Sequence, residues 1–307
     1  MRRFPAHDDT DSRLTTMDAG FLMGLVINGL VIGVIYALVA IGLSLIFGVL
    51  EIVNFAHGEF YMLGAMLAYF LTTNAGFGYW PTIVVVTVVA LCLGYVLFES
   101  LLGSLRGESF ERSILLTLGL SMILQNGAVY LFTTTPKMVA TPLSYASISL
   151  GDLRISLVRL YALGLGLAAF AVLYLILYRS RIGKAMRGVA QNRAAALMVG
   201  IDPRAVSRLA VAIGIGLSGL AGAALAPVYA VHPLMGFAFV FKAFAIIIIG
   251  GLGNVAGAAI AAVALGIFET LIGGYLPAVL VDAFAFGAMI LVLLVRPQGL
   301  FGRGVRV

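Results

Sequence analysis

Long uninterrupted apolar runs set the limits on what this chain can fold into. Clear examples occupy roughly 20–42, 82–102, 113–133, 158–178, 208–230 and 255–275. Each is close to the ~20 residues that a helix needs to cross the hydrocarbon core of a bilayer. The runs are continuous rather than alternating, which points to helices and away from a transmembrane barrel. Composition agrees: 62% of residues are hydrophobic and 10% charged, against about 25% charged in soluble domains. The 37 glycines suit helices packed closely in lipid. The expected fold is all-α, a polytopic transmembrane helical bundle.

Two further apolar stretches, about 43–56 and 238–250, are too short to span comfortably. They read as short broken helices, ending at Asn54-Phe-Ala-His57-Gly58-Glu59 and at Gly250-Gly251-Leu-Gly253-Asn254. The stretches 58–73 and 281–296 complete the set. The count is ten crossings if both short stretches cross and eight if they re-enter. Residues 1–18 read as a polar, disordered tail. Residues 19–307 read as one transmembrane domain, with a cytoplasmic coupling region at 179–207. Arg2 and Arg3 do not mark a signal peptide, because the apolar run from about Gly20 far outlasts a signal core.

The segment Arg179–Arg208 orients the chain. It holds seven basic residues and one acid, Asp202, a net +6 equal to that of the whole protein. Lys and Arg resist translocation, so this loop belongs in the cytoplasm. Stepping outward from it, the turn 103–112 is internal and the loop 134–157 external. The uncharged turn 74–81 is also external, and its Tyr79 and Trp80 suit an interfacial belt. The arginines after residue 295 fall inside. These loop charges favour ten crossings, with both termini cytoplasmic.

From Gly183 to Gly200 the loop is rich in helix formers. Met186, Val189, Leu197 and Ile201 recur at helical spacing, with Arg193 in the gap of that stripe, while Lys184, Arg187 and Gln191 take another face. Gly200 and Pro203 supply a stop. The expectation is a single amphipathic helix that lies on lipid or docks into a partner's groove.

Several motifs mislead. Gly214-Ile-Gly216-Leu-Ser-Gly219 has dinucleotide-fingerprint spacing, but it sits inside an apolar helix with no preceding strand. Small-residue packing explains it, as it explains Gly29-x-x-x-Gly33 and Gly253-x-x-x-Gly257. Gly183-Lys184 is not a phosphate loop, since Tyr178 and Ala185 stand where Gly and Ser or Thr would be needed. The basic balance reflects topology rather than nucleic-acid binding. His7, His57 and His232 are scattered and form no metal set, and no nucleophile–base pair marks a catalytic site. Lone Cys92 reads as a lipid- or helix-facing small residue.

Polarity inside the membrane is informative because it is costly. Asn54, His57, Gly58 and Glu59, with Gly250, Gly251, Gly253 and Asn254, are candidates for a substrate path, because irregular backbone is tolerated where it lines a cavity. The competing reading makes each break a helix kink, with His57 and Glu59 hydrated at the cytoplasmic interface. Lys242 is expected to snorkel. Glu51, Glu99 and Glu269 carry no expected proton-coupling role.

The segments NFAHGEFYMLGA (54–65), ILQN (123–126), SRIGKAMRGVAQNRAAALMVGID (180–202), GFAFVFKAFAIIIIGGLGNVAGA (236–258) and RPQGLFG (296–302) resemble the membrane permease of branched-chain amino-acid ABC importers. The resemblance runs in register from about residue 20 onward. It implies a multi-pass protein of the bacterial cytoplasmic (inner) membrane. The implied partners are a second related permease, two cytoplasmic ATPases, an extracytoplasmic substrate-binding protein and membrane lipid. Residues 183–202 would fit a cleft on the ATPase. No cofactor is expected in this chain, ATP and Mg being bound by the ATPases. Urea and short-chain amide importers use similar permeases, and an autonomous channel or ion-coupled carrier is the alternative from another class.

Overall fold

A computed structural model describes residues 9–302 other than 106, 151 and 152. The helices are α1 (Asp9–Leu50), α2 (His57–Tyr69), α3 (Tyr79–Leu97), α4 (Phe110–Phe132), α5 (Leu157–Tyr174), α6 (Arg181–Gln191), α7 (Arg193–Met198), α8 (Pro203–Leu225), α9 (Met235–Gly250), α10 (Val255–Tyr275) and α11 (Ala278–Val295). Wide helical turns extend α2, α3 and α5 to Asn74, Leu102 and Arg179. Among the described residues, six helices are long and apolar enough to cross a membrane. The protein is all-α and polytopic, apart from a small hairpin of β1 (Ser147–Leu150) and β2 (Leu153–Ser156) in the loop before α5.

Two expectations need correction at the N-terminal end. Residues 9–18 continue α1 as helix rather than forming a disordered tail, and residues 1–8 lie outside the described residues. There is also no boundary at 42/43. The apolar part of α1 runs unbroken over Gly20–Leu50, about 46 Å at 1.5 Å per residue against a hydrocarbon core of about 30 Å. Its length exceeds one span, and the excess reads in sequence as a second short helix. The ten-crossing count therefore loses one element.

Burial separates helices that hydropathy cannot. In α1 and α8, 83% of the most apolar window is buried, whereas in α4 and α5 the share is 17% and 22%. Glycines let the inner helices touch backbone to backbone. A Cβ at Gly42 would lie 2.5 Å from the Gly214 carbonyl oxygen, one at Gly64 2.2 Å from that of Gly219, and one at Gly222 1.9 Å from that of Tyr61. The Gly214–Gly219 motif is thus a packing face, as the sequence indicates. Gly29 and Gly33 serve the same purpose against Ile267 and Val263 of α10.

These contacts fix direction. α1 runs antiparallel to α10, from Phe21 against Tyr275 to Gly48 against Gly253. Its Leu50 end and the α9–α10 turn share the face that carries α6 and α7, and its beginning lies on the opposite face. The C-terminal motif lies across that turn. Leu300 N–H donates to the Ile249 carbonyl (2.7 Å), and Asn254 Nδ2 donates to the Phe301 carbonyl (2.8 Å). Two separate sequence motifs, 236–258 and 296–302, are therefore one structural unit.

Candidate functional site

After Leu50 the backbone leaves the helix. Glu51 adopts a positive φ of 60°, residues 51–54 belong to no helix or strand, and α2 starts only at His57. This break lies deep in the bundle. Thr117, about two turns along α4, and Ser218, about four turns along α8, reach it from two sides. Irregular backbone in lipid would leave its peptide groups unsatisfied, at a cost of several kcal/mol each. Here side chains satisfy several of them. Thr117 Oγ1 accepts from Phe55 N–H (3.2 Å) and contacts the Val53 carbonyl at 3.3 Å. Asn54 Oδ1 accepts from Ala56 N–H (3.1 Å), and Ser218 Oγ donates to the His57 carbonyl (3.1 Å).

Asn54, His57 and Glu59 are fully buried, so the break is not a hydrated kink at an interface. His57 Nε2 lies 3.1 Å from the Val39 carbonyl. That contact requires the Nε2–H donor, which makes Nδ1 an acceptor in the neutral ring. Ser121 Oγ donates to Glu59 Oε1 (2.8 Å). Three groups remain without partners: Asn54 Nδ2, His57 Nδ1 and Glu59 Oε2. Buried polar groups without a partner are uncommon, and each calls for an explanation. α9 packs directly against these residues. A Cβ on Gly58 would lie 2.1 Å from the Gly236 carbonyl oxygen, and one on Gly236 2.5 Å from Glu59 Oε2. Tyr61 and Phe239 stack above this contact at 3.8 Å.

The other four path candidates sit elsewhere. Gly250, Gly251 (φ 96°), Gly253 (φ 74°) and Asn254 form the α9–α10 turn, in which Asn254 Oδ1 caps α10 by accepting from Gly257 N–H. Gly251 lies against Gly302, and Gly253 against Gly48 just before the break. The structure does not bring this turn together with Asn54–Glu59, which packs on α4, α8 and the first turns of α9.

An ionic cluster, missed in the sequence, links four helices. Lys242 Nζ of α9 is 2.9 Å from Glu269 Oε2 of α10 and 3.1 Å from Asp282 Oδ1 of α11, and Tyr36 of α1 donates to Glu269 Oε2 at 2.8 Å. Lys242 does not snorkel: its side chain is 16% exposed and that of Glu269 6%. Only the intramembrane charges themselves signal this cluster in the sequence.

The basic loop also departs from expectation. It forms two helices rather than one, because Asn192 turns extended and its side chain accepts from Ala195 N–H, capping α7. The apolar stripe divides accordingly. Met186 and Val189 are buried against the bundle and Ile201 is half-buried, whereas Leu197 is 56% exposed, beside exposed Met198 and Val199. Lys184 and Gln191 are exposed. Arg187 donates to the Leu177 carbonyl and lies over the Tyr178 ring, and Arg193 is half-buried. Arg204 and Arg208 pair with Glu99 at 2.8 and 2.9 Å. Exposed apolar side chains of α7 and its C-terminal end thus stand near exposed Lys184 and Gln191. Arg106, in the neighbouring turn, lies outside the described residues.

The sequence profile of the family described as branched-chain amino acid transport system / permease component matches residues 25–293. The chain belongs to this permease family. Similar relatives include the high-affinity branched-chain amino acid transport system permease protein BraD of Pseudomonas aeruginosa, 30% identical over 290 residues, covering 90% of this chain and 94% of BraD. The corresponding LivH of Escherichia coli K12 is 32% identical over 304 residues, covering 90% and 94%. LivM of the same organism, described in the same words as LivH, is 24% identical over 296 residues, covering 87% and 67%. No solved structure is a significant match. Family membership and six membrane-length apolar helices make this permease a multi-pass membrane protein.

Proposed function

We propose that this permease forms half of the pore of an ABC importer that moves branched-chain or related hydrophobic amino acids into the cytoplasm. The carrying observation is its likeness to BraD and LivH across 90% of its length, which favours amino acids over urea or amides. Its likeness to both LivH and LivM supports a pore of two related permeases. In this reading, two separate ATPase chains bind ATP and Mg, an extracytoplasmic protein delivers the substrate, and the complex resides in the bacterial inner membrane. This chain holds no cofactor.

The positive-inside rule places α6 and α7 in the cytoplasm. With α1 as one helix, the chain then crosses nine times, and α1 starts outside. The substrate path passes the break at Asn54–Glu59, whose orphan donor and acceptors suit a polar or zwitterionic head group. Gly58 and Gly236 close it, and the 250–254 turn borders its cytoplasmic end. Exposed Leu197 on α7 seats in the ATPase, flanked by Lys184, while Met186 and Val189 transmit its movement to the bundle. The test is reconstitution. Liposomes with both permeases, the ATPases and the binding protein should accumulate leucine only with ATP. Uptake by this permease alone would instead establish an autonomous carrier.

A further inference from the structure

On the face opposite α6 and α7, a cleft of about 320 Å³ opens between α1, the short turn at Pro142–Tyr145, β2, the start of α5 and the connection after α8. Its polar lining is Asn28, Ser144, Arg154, Ser156 and Arg159. Its apolar wall includes Ile27, Val158 and Val228. Arg159 Nη1 donates to Asn28 Oδ1, a neutral acceptor that orients the guanidinium without cancelling its charge. Among the described residues neither Arg154 nor Arg159 forms an ion pair.

Arg159 also stands in the first turn of α5. That end of a helix is already positive, so a cation there is unfavourable on its own and an anion is welcome. A helix start needs no arginine for stability, and this one faces a cleft rather than a carboxylate. The volume lies in the range of small-molecule sites. One cationic corner with one aliphatic wall matches a small amphipathic acid better than an inorganic ion.

We propose that this cleft is an external vestibule that holds the carboxylate of a small aliphatic acid on Arg159, with Asn28 as the positioning residue. The proposal rests on the outward orientation given above and adds a ligand site to it. The same chemistry could come from a carboxylate side chain of a docked binding protein, and the experiment separates the two.

The complete complex of both permeases and ATPases is placed in nanodiscs without binding protein, carrying Cys92→Ala and Ser156→Cys in this chain. Alkylation of the new thiol by neutral N-ethylmaleimide is timed. Leucine and 4-methylpentanoate should each slow it, by about threefold at twice their Kd, while leucinol, which lacks the carboxylate, should not. Arg159→Gln should abolish the slowing, measured against that variant's own ligand-free rate. The leucine–leucinol comparison needs no Arg159 variant, so a failure of that variant to assemble leaves the test intact. Equal protection by leucinol, or no protection by either acid, overturns the proposal. So does protection that appears only when ligand-free binding protein is added, since the carboxylate would then be that protein's. ATP-driven leucine uptake is measured alongside, with the same purified complex reconstituted in liposomes together with the binding protein. Normal uptake with no protection sinks the vestibule alone, and absent uptake sinks the importer reading.

Discussion

Lys242→Met should destabilise this permease more than Glu269→Gln, although the two residues form one ion pair. Lys242 Nζ has three oxygen partners: Glu269 Oε2 at 2.9 Å, Tyr36 Oη at 3.1 Å and Asp282 Oδ1 at 3.1 Å. Glu269 has Lys242 and Tyr36, and its Oε1 has no partner. Glu269 is also the more buried member. Removing one partner of a buried pair costs about 3–5 kcal/mol, mostly because the other charge is left uncompensated. Lys242→Met strands Glu269 among α1, α9 and α10 and should pay that full cost, roughly a hundredfold to several-thousandfold in the unfolding equilibrium. Glu269→Gln leaves Lys242 with Asp282 and Tyr36, so its cost should fall to about 1–2 kcal/mol, near that of a lost charged hydrogen bond.

The double variant Lys242→Met/Glu269→Gln completes the cycle. It removes both charges and leaves the neutral amide beside Tyr36, so it should be more stable than Lys242→Met alone. The assay is reversible unfolding in mixed SDS–detergent micelles, followed by the fluorescence of Trp80, the one tryptophan in the chain. The reasoning fails if Glu269→Gln is the costlier single change, or if the costs of the two single changes simply add in the double variant.

Other consequences follow from burial and contact. In a Cys92→Ala background, a cysteine at Leu22 should be labelled from outside intact cells and one at Gln191 only after permeabilisation; labelling of both from one side would refute a single-span α1. Leu197→Asp should leave the permease folded but lose the co-purifying ATPase, whereas Met186→Ala, at a fully buried position, should cost about 2–5 kcal/mol of stability. If Leu197→Asp retains both the ATPase and transport, α7 is not the coupling contact. Gly222→Ala drives a methyl group to within 1.9 Å of the Tyr61 carbonyl oxygen and should cost about 1–3 kcal/mol by overpacking. Gly119→Ala, with nothing within 4 Å, should be neutral or gain up to about 1 kcal/mol from helix propensity; equal thermal shifts for the two would refute the backbone contact of α2 with α8.

What the sequence discloses is local, and what it hides is partnership. Apolar length located every long helix, but length measures neither depth nor burial. The 31-residue run Gly20–Leu50 exceeds one span, and arithmetic alone divides it. Its continuity becomes visible only when Gly42 is seen against Gly214 and Gly48 against Gly253. The Asn192 cap was legible in principle, since Asn followed by a helix-forming run is a start signal. The surrounding periodicity outweighed it, and one helix was expected where two exist. Charge was legible as a sum and not as pairs: the basic loop loses two arginines to Glu99, about a hundred residues earlier, and Lys242 finds Tyr36 more than two hundred residues away. Asn54, His57 and Glu59 lie between these extremes. Their polarity in an apolar context flagged them at once, yet the same residues could have sat hydrated at an interface. The reach of Thr117 and Ser218 decides the matter. An irregular chain at that depth draws donors and acceptors from α4 and α8, which the sequence around Asn54 cannot show by itself. Asn54 Nδ2, His57 Nδ1 and Glu59 Oε2 keep no partner there, and packing alone does not explain why three such atoms lie together.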